Sequence, residues 1–272
     1  MLKPIKGDKP APTSEKEMSF LDHLEELRWH IIRSIIAIVL VAIVVFWQSP
    51  VVIDVLFAPR YETFPTYRII CNGFNVFCEV PQFEIIYKDL GERFFTHLKT
   101  SIWLGIILGF PFIFWEFWRF IKPGLYEHEK KATRGMVGIC TVLFFLGVLF
   151  GYFIIAPFAI SFLAGYQFGT DDAIVSSTLS SYVSYMTMIT LPTGFVFQLP
   201  VVAYFLGKAG IIGSDTMKRF RRHAIVVIFI MAAIITPPDV ITQFLIAIPL
   251  MGLYQIGIIA VKRIEKKRAE QD

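Results

Sequence analysis

Two short stretches concentrate the side chains that could do chemistry. Residues 18–30 read MSFLDHLEELRWH and hold Asp22, His23, Glu25, Glu26 and Arg28. Residues 120–134 read FIKPGLYEHEKKATR and hold Glu127 and Glu129 beside Lys130, Lys131 and Arg134. Carboxylates in such company make ion pairs and charge-assisted hydrogen bonds. The bland reading is a solvated helix face and a polar hairpin. A Glu25–Arg28 pair stabilises a helix by only about 0.2–0.5 kcal/mol, and exposed hairpin pairs contribute little. A third group is Gln198, the main polar residue well inside an apolar run. An amide there can bond between helices.

Other chemistries lack their residues. There is no GxxxxGK[ST] phosphate loop and no GxSxG elbow. The nearest string to HExxH is HEKKA at 128–132, which lacks the second histidine. None of the three cysteines, Cys71, Cys78 and Cys140, sits in a CxxC pair. An intramembrane enzyme would need a nucleophile–base pair, and an ion-coupled carrier ionisable groups at mid-span. The sequence supplies neither, so no enzyme, cofactor or metal is expected. A net charge of +4, spread between apolar runs, gives no case for nucleic acid.

Composition defines what must position these residues. Of 272 residues, 55% are hydrophobic and only 18% charged, with a mean hydropathy of +0.61. Soluble domains carry about 25% charge, so a multi-span membrane protein is expected. Apolar runs place six spans at about 30–48, 97–120, 134–164, 181–206, 223–236 and 240–261. The third is too long for a ~30 Å hydrocarbon core and must tilt, kink at Pro157 or project into water. The fifth is short, reaching only ~20 Å. Residues 1–17 read as a disordered tail without signal-peptide character, and 265–272 as a second tail.

Cation placement sets orientation. Of 26 Lys and Arg, only Arg60, Arg68, Lys88, Arg93 and Lys99 fall on the side of the 1–2, 3–4 and 5–6 connections, all in or just past the long loop 49–96. The other side is therefore cytoplasmic and holds both termini. Trp29 and Trp47 bracket the first span, and Trp115 and Trp118 close the second, as interfacial rings do. Phe20, Leu24, Leu27 and Ile31 form one helical stripe, so an amphipathic surface helix feeds into the first span. Pro50, Pro59, Pro65 and Pro81 keep the outer loop from being one helix. In that oxidising compartment Cys71 and Cys78 form a small disulfide on one reading, and two unpaired thiols on the other.

Four strings then carry a resemblance. HLEELR at 23–28, FIKPGLYEHE at 120–129, FQLP at 197–200 and TPPDVITQFLIAIPL at 236–250 resemble signature segments of the TatC family, the multi-spanning subunit of the twin-arginine protein translocase. The likeness runs from about residue 19 to 263, in the order and topology just read. It implies an all-α scaffold of six transmembrane helices, concave, with short fifth and sixth spans, in the bacterial cytoplasmic (inner) membrane. It implies a receptor that binds twin-arginine signal peptides of folded cargo. It also implies partners: single-span subunits of the TatA and TatB type, lipids and further copies of itself, with export driven by the proton gradient.

The resemblance assigns residues as well. Glu26 and Glu129 align with the family's signal-binding glutamates. Arg28, His23, Phe120, Pro123, Leu125 and Tyr126 would orient or shape that patch. A guanidinium presents a planar fork to a carboxylate that a lysine cannot copy, so paired arginines call for paired acceptors. Gln198 departs from the pattern, since many members carry glutamate there. Its amide offers an interhelix bond or a partner contact, not a proton relay. Thr236, Asp239 and Gln243 fall where the single-span partners dock, and Asp239 could equally cap the sixth helix.

Overall fold

The computed structural model describes residues 20–74, 83–121, 135–166, 176–236 and 240–270. Helix α1 (Phe20–Trp47) has no proline or glycine, so the amphipathic entry and the first span form one 28-residue element. The long loop that follows then breaks at its prolines. It forms α2 (Ser49–Phe57), a 3-10 turn (Ala58–Arg60), α3 (Pro65–Phe74) and strand β1 (Glu84–Ile86). Pro50 and Pro65 stand in first turns, where a missing N–H costs nothing.

Helix α4 (Glu92–Ile121) is a 30-residue rod that absorbs Pro111. Helix α5 (Met136–Phe150) passes through a π-helical turn (Gly151–Ile155) into α6 (Ala156–Gly165). Strand β2 (Ser176–Thr178) follows, then α7 (Leu179–Val196), a break at Phe197–Gln198, and α8 (Leu199–Lys208). The chain closes with α9 (Ser214–Arg219), α10 (Arg221–Ile235) and α11 (Val240–Ala269).

Among the described residues five stretches are long and apolar enough to cross a membrane: Leu24–Trp47, Glu92–Ile121, Met136–Gly165, Leu179–Lys208 and Val240–Arg268. On α1 the large apolar side chains Ile36, Val39, Leu40, Ile43 and Val44 lie exposed, as a lipid-facing surface requires. Helix α10 is apolar but only 15 residues long.

Two expectations change. The chain is not purely α: β1 and β2 pair in parallel, Glu84 with Ser176 and Ile86 with Thr178. Nor is the sixth helix short, since α11 runs for 30 residues. Its apolar part gives way to KRIEKKRA, good helix formers that continue the rod. That extension is tied down. Glu265 accepts from the Ser214 backbone N–H (2.8 Å) and hydroxyl, the Tyr254 hydroxyl donates to Met217 O (2.9 Å), and Arg268 donates to Lys208 O.

The third apolar run shows how its proline is handled. Pro157 has no N–H for the carbonyl of Phe153, and the π turn lies directly before it. The Thr66 hydroxyl from α3 donates to that carbonyl instead. Tyrosines complete the cap. Tyr182 donates to Leu56 O (3.0 Å), Tyr152 to Val55 O, and Tyr67 to Pro59 O and Pro157 O (3.0 and 3.1 Å). Below the cap, Gly147 and Gly151 let α5 meet α7 at backbone distance. A Cβ at Gly147 would stand 2.8 Å from Thr193 O, and one at Gly151 3.0 Å from Thr190 Cα.

Candidate functional site

Helices α1 and α4 pack antiparallel along their length, with Phe46 stacked on His97 at one end and His30 against Glu116 at the other. A close approach at the centre makes this possible: a Cβ on Gly105 would lie 2.9 Å from Ile38 O. The start of α1 thereby meets the end of α4. On α1, Glu26, His30 and Arg33 follow at i, i+4 and i+7, one helical stripe. On α4, Glu116, Arg119 and Phe120 present the matching face.

The centre is Glu116, only 1% exposed. His30 Nδ1–H donates to its Oε2 at 2.5 Å. Arg33 Nη1 approaches the same oxygen at 3.7 Å, and Arg119 Nη1 the other at 3.4 Å. The far nitrogen of His30, Nε2, stands 3.9 Å from Glu26 Oε1. Phe120 packs its ring edge-on to the imidazole, centroids 6.0 Å apart. Arg119 also lies over the Trp115 ring at 5.0 Å.

The two carboxylates differ. Glu116 is held by three nitrogen donors. Glu26 keeps its Oε2 shut from solvent with no hydrogen-bond partner among the described residues. A buried carboxylate oxygen without a donor is costly. One accepting oxygen here is therefore left unpaired.

Of the expected residues, the structure places Glu26 in this cluster with Phe120 against it, and leaves Arg28 exposed nearby on α1. The side chain of His23, and Pro123, Leu125, Tyr126, Glu129 and Asp239, lie outside the described residues. Gln198 is elsewhere: its amide donates to Cys140 O on α5 (3.0 Å), and its Oε1 is buried without a described partner. It borders a cavity of about 390 Å³ between α4 and α8, walled by Phe114, Phe117, Trp118, Val201 and Phe205. Trp118 is buried here against Phe205, so of the two rings closing α4 only Trp115 is exposed. Thr236 turns back to Ala232 O (2.9 Å), and Gln243 ties α11 to α10 through Phe229 O (3.1 Å). Cys71 is disulfide-bonded, while its expected partner Cys78 lies outside the described residues; Cys140 is free and buried. No metal-holding group of His, Cys, Asp or Glu occurs among the described residues.

Sequence reasoning missed His30 and Glu116. The signal was present: a lone acid within an apolar run is expensive and demands a named partner.

Comparison with known proteins agrees with this architecture. The family model described as Sec-independent protein translocase protein (TatC) matches residues 22–249. The TatC of Blattabacterium sp. subsp. Periplaneta americana is 37% identical over 264 residues, covering 93% of this chain and 98% of the relative. That of Aquifex aeolicus is 36% identical over 253 residues, covering 93% and 98%. A crystal structure of the twin-arginine translocase receptor TatC superposes with a TM-score of 0.70 at 37% identity, covering 89% of this chain and 99% of the other. With its apolar helices and this likeness along most of its length, the chain belongs to the TatC family, multi-pass membrane components of the Sec-independent protein translocase that are not enzymes.

Proposed function

We propose that this chain is the receptor and scaffold of a twin-arginine translocase, and that signal peptides of folded cargo bind where α1 begins and α4 ends. The observation that carries this is the unpaired oxygen of Glu26, one imidazole away from a carboxylate already supplied with donors. A guanidinium fits that vacancy in charge and shape. Glu129, beyond the end of α4, supplies the second acceptor on this reading, with Arg28, His23, Phe120, Pro123, Leu125 and Tyr126 framing the patch. Both termini face the cytoplasm, α10 is the short fifth span and α11 the sixth, and the single-span partners dock where Thr236, Asp239 and Gln243 fall between and along them. Gln198, with one buried oxygen unanswered beside an apolar cavity, suits contact with a single-span partner of the TatA or TatB type. The proton gradient of the inner membrane drives export, and the chain self-associates within the complex.

Peptide binding to the protein in nanodiscs tests this. A twin-arginine signal peptide should bind more tightly than its twin-lysine variant. Glu26→Gln and Glu129→Gln should each weaken it roughly 10- to 150-fold, the equivalent of ~1.5–3 kcal/mol for a charge-assisted bond. Equal binding by all combinations would reduce the two glutamates to a solvated patch.

A further inference from the structure

Resident cations crowd the patch that an arginine-bearing signal has to enter. Arg33 and Arg119 are each about half exposed, at 47% and 48%. Arg33 lies on the same helical stripe as Glu26, with His30 between them. Being tethered, an arginine on either helix competes for the unpaired oxygen of Glu26 with any ligand arriving from solution. Yet both are turned to Glu116, at 3.7 and 3.4 Å, and neither contacts Glu26. These are loose ion pairs, not bidentate forks, so their job is not rigid support.

We infer that Glu116 is a positioning residue that acts as a charge sink: it holds Arg33 and Arg119 away from Glu26, and so keeps an oxygen of Glu26 unpaired for an arginine of the signal. The inference rests on the reading of Glu26 given above. Charge balance explains the need. Apart from the imidazole, two carboxylates face two guanidiniums and their charges cancel. Without Glu116 the cluster is positive toward a ligand that brings two more positive charges. Glu116 and His30 are buried and the separation is one imidazole ring, within the ~8 Å screening length of physiological salt, so the penalty is felt at Glu26. Arg28, exposed on α1, adds to the same positive field. Depth matters as well. At 1% exposure Glu116 is beyond the reach of a bulky ligand, whereas the Glu26 side chain is 32% exposed, and its covered Oε2 has only to turn outward to meet one. The sink and the receptor are thus separated by burial.

The test uses the full chain in nanodiscs, the twin-arginine peptide and its twin-lysine variant, and four variants: Glu26→Gln, Glu116→Gln, Arg119→Gln and the double change Glu116→Gln/Arg119→Gln. The sink requires Glu116→Gln to weaken twin-arginine binding roughly tenfold, and the double variant to recover most of it. It also requires Arg119→Gln alone to bind at least as tightly as wild type, since the sink then has one cation fewer to hold. That arm stands even if Glu116→Gln does not fold. A purely structural Glu116 would lower melting temperature and binding together, with no recovery in the double variant, and that result overturns the inference. So does weaker binding by Arg119→Gln, which would make Arg119 a ligand contact. An unaffected Glu26→Gln would instead overturn the receptor reading, leaving the two failures distinguishable.

Discussion

At the scale of single residues, Tyr67 does much of the work of the tyrosine cap. Its one phenolic hydrogen is shared between Pro59 O and Pro157 O, and Ser161 donates to its oxygen at 3.3 Å. Tyr67→Phe leaves both carbonyls without this donor and should cost about 1–2 kcal/mol, read as a lower melting temperature with unchanged signal binding. Burial also pushes the Tyr67 phenol above its ordinary value of 10.0. An unfolded tyrosine therefore ionises first, and stability falls as pH rises from that ordinary value through the raised one. The alkaline loss should be smaller in Tyr67→Phe, as a pH series of melting curves would show. Not all such roles were legible in the sequence. Glu26 stood out because its motif did, whereas His30 and Glu116 are 86 residues apart and meet only through the packing of two helices.

At the scale of elements, the close contact of α5 with α7 makes a sharp prediction. A methyl at Gly147 meets the backbone of Thr193 and Gly194, while a methyl at Gly138 meets nothing within 4 Å. Gly147→Ala should destabilise the protein by about 1–3 kcal/mol through overpacking, and Gly138→Ala should be neutral or slightly stabilising. Thermal unfolding of the two variants side by side is the check. Long apolar runs made most helices legible, and the proline spacing of residues 49–96 signalled a broken loop. The β ribbon was not, because strands of three residues, EII and SST, carry no periodicity. The length of α11 was hidden for another reason. Hydropathy reports where lipid ends, not where a helix ends, and KRIEKKRA stays helical by propensity and docking.

At the scale of the molecule, neighbouring elements differ greatly in length. Helix α10 has 15 residues and spans about 22 Å, against a hydrocarbon core of ~30 Å, while α11 has 30. As a membrane span, α10 should draw the bilayer thinner on its side. Depth-dependent quenching by labelled lipids should report a shallower core near α10 than near α1, and a uniform depth would end the idea. The β1–β2 ribbon has a different consequence. Its two strands flank α4, α5 and α6, so the chain between them must cross, turn and return before they can touch. In a polypeptide emerging from the ribosome amino end first, the ribbon is a clasp fastened after two crossings are complete. Parallel pairing admits no hairpin shortcut. Those few residues therefore order biogenesis in time, closing the far end of the bundle only once its middle has been threaded.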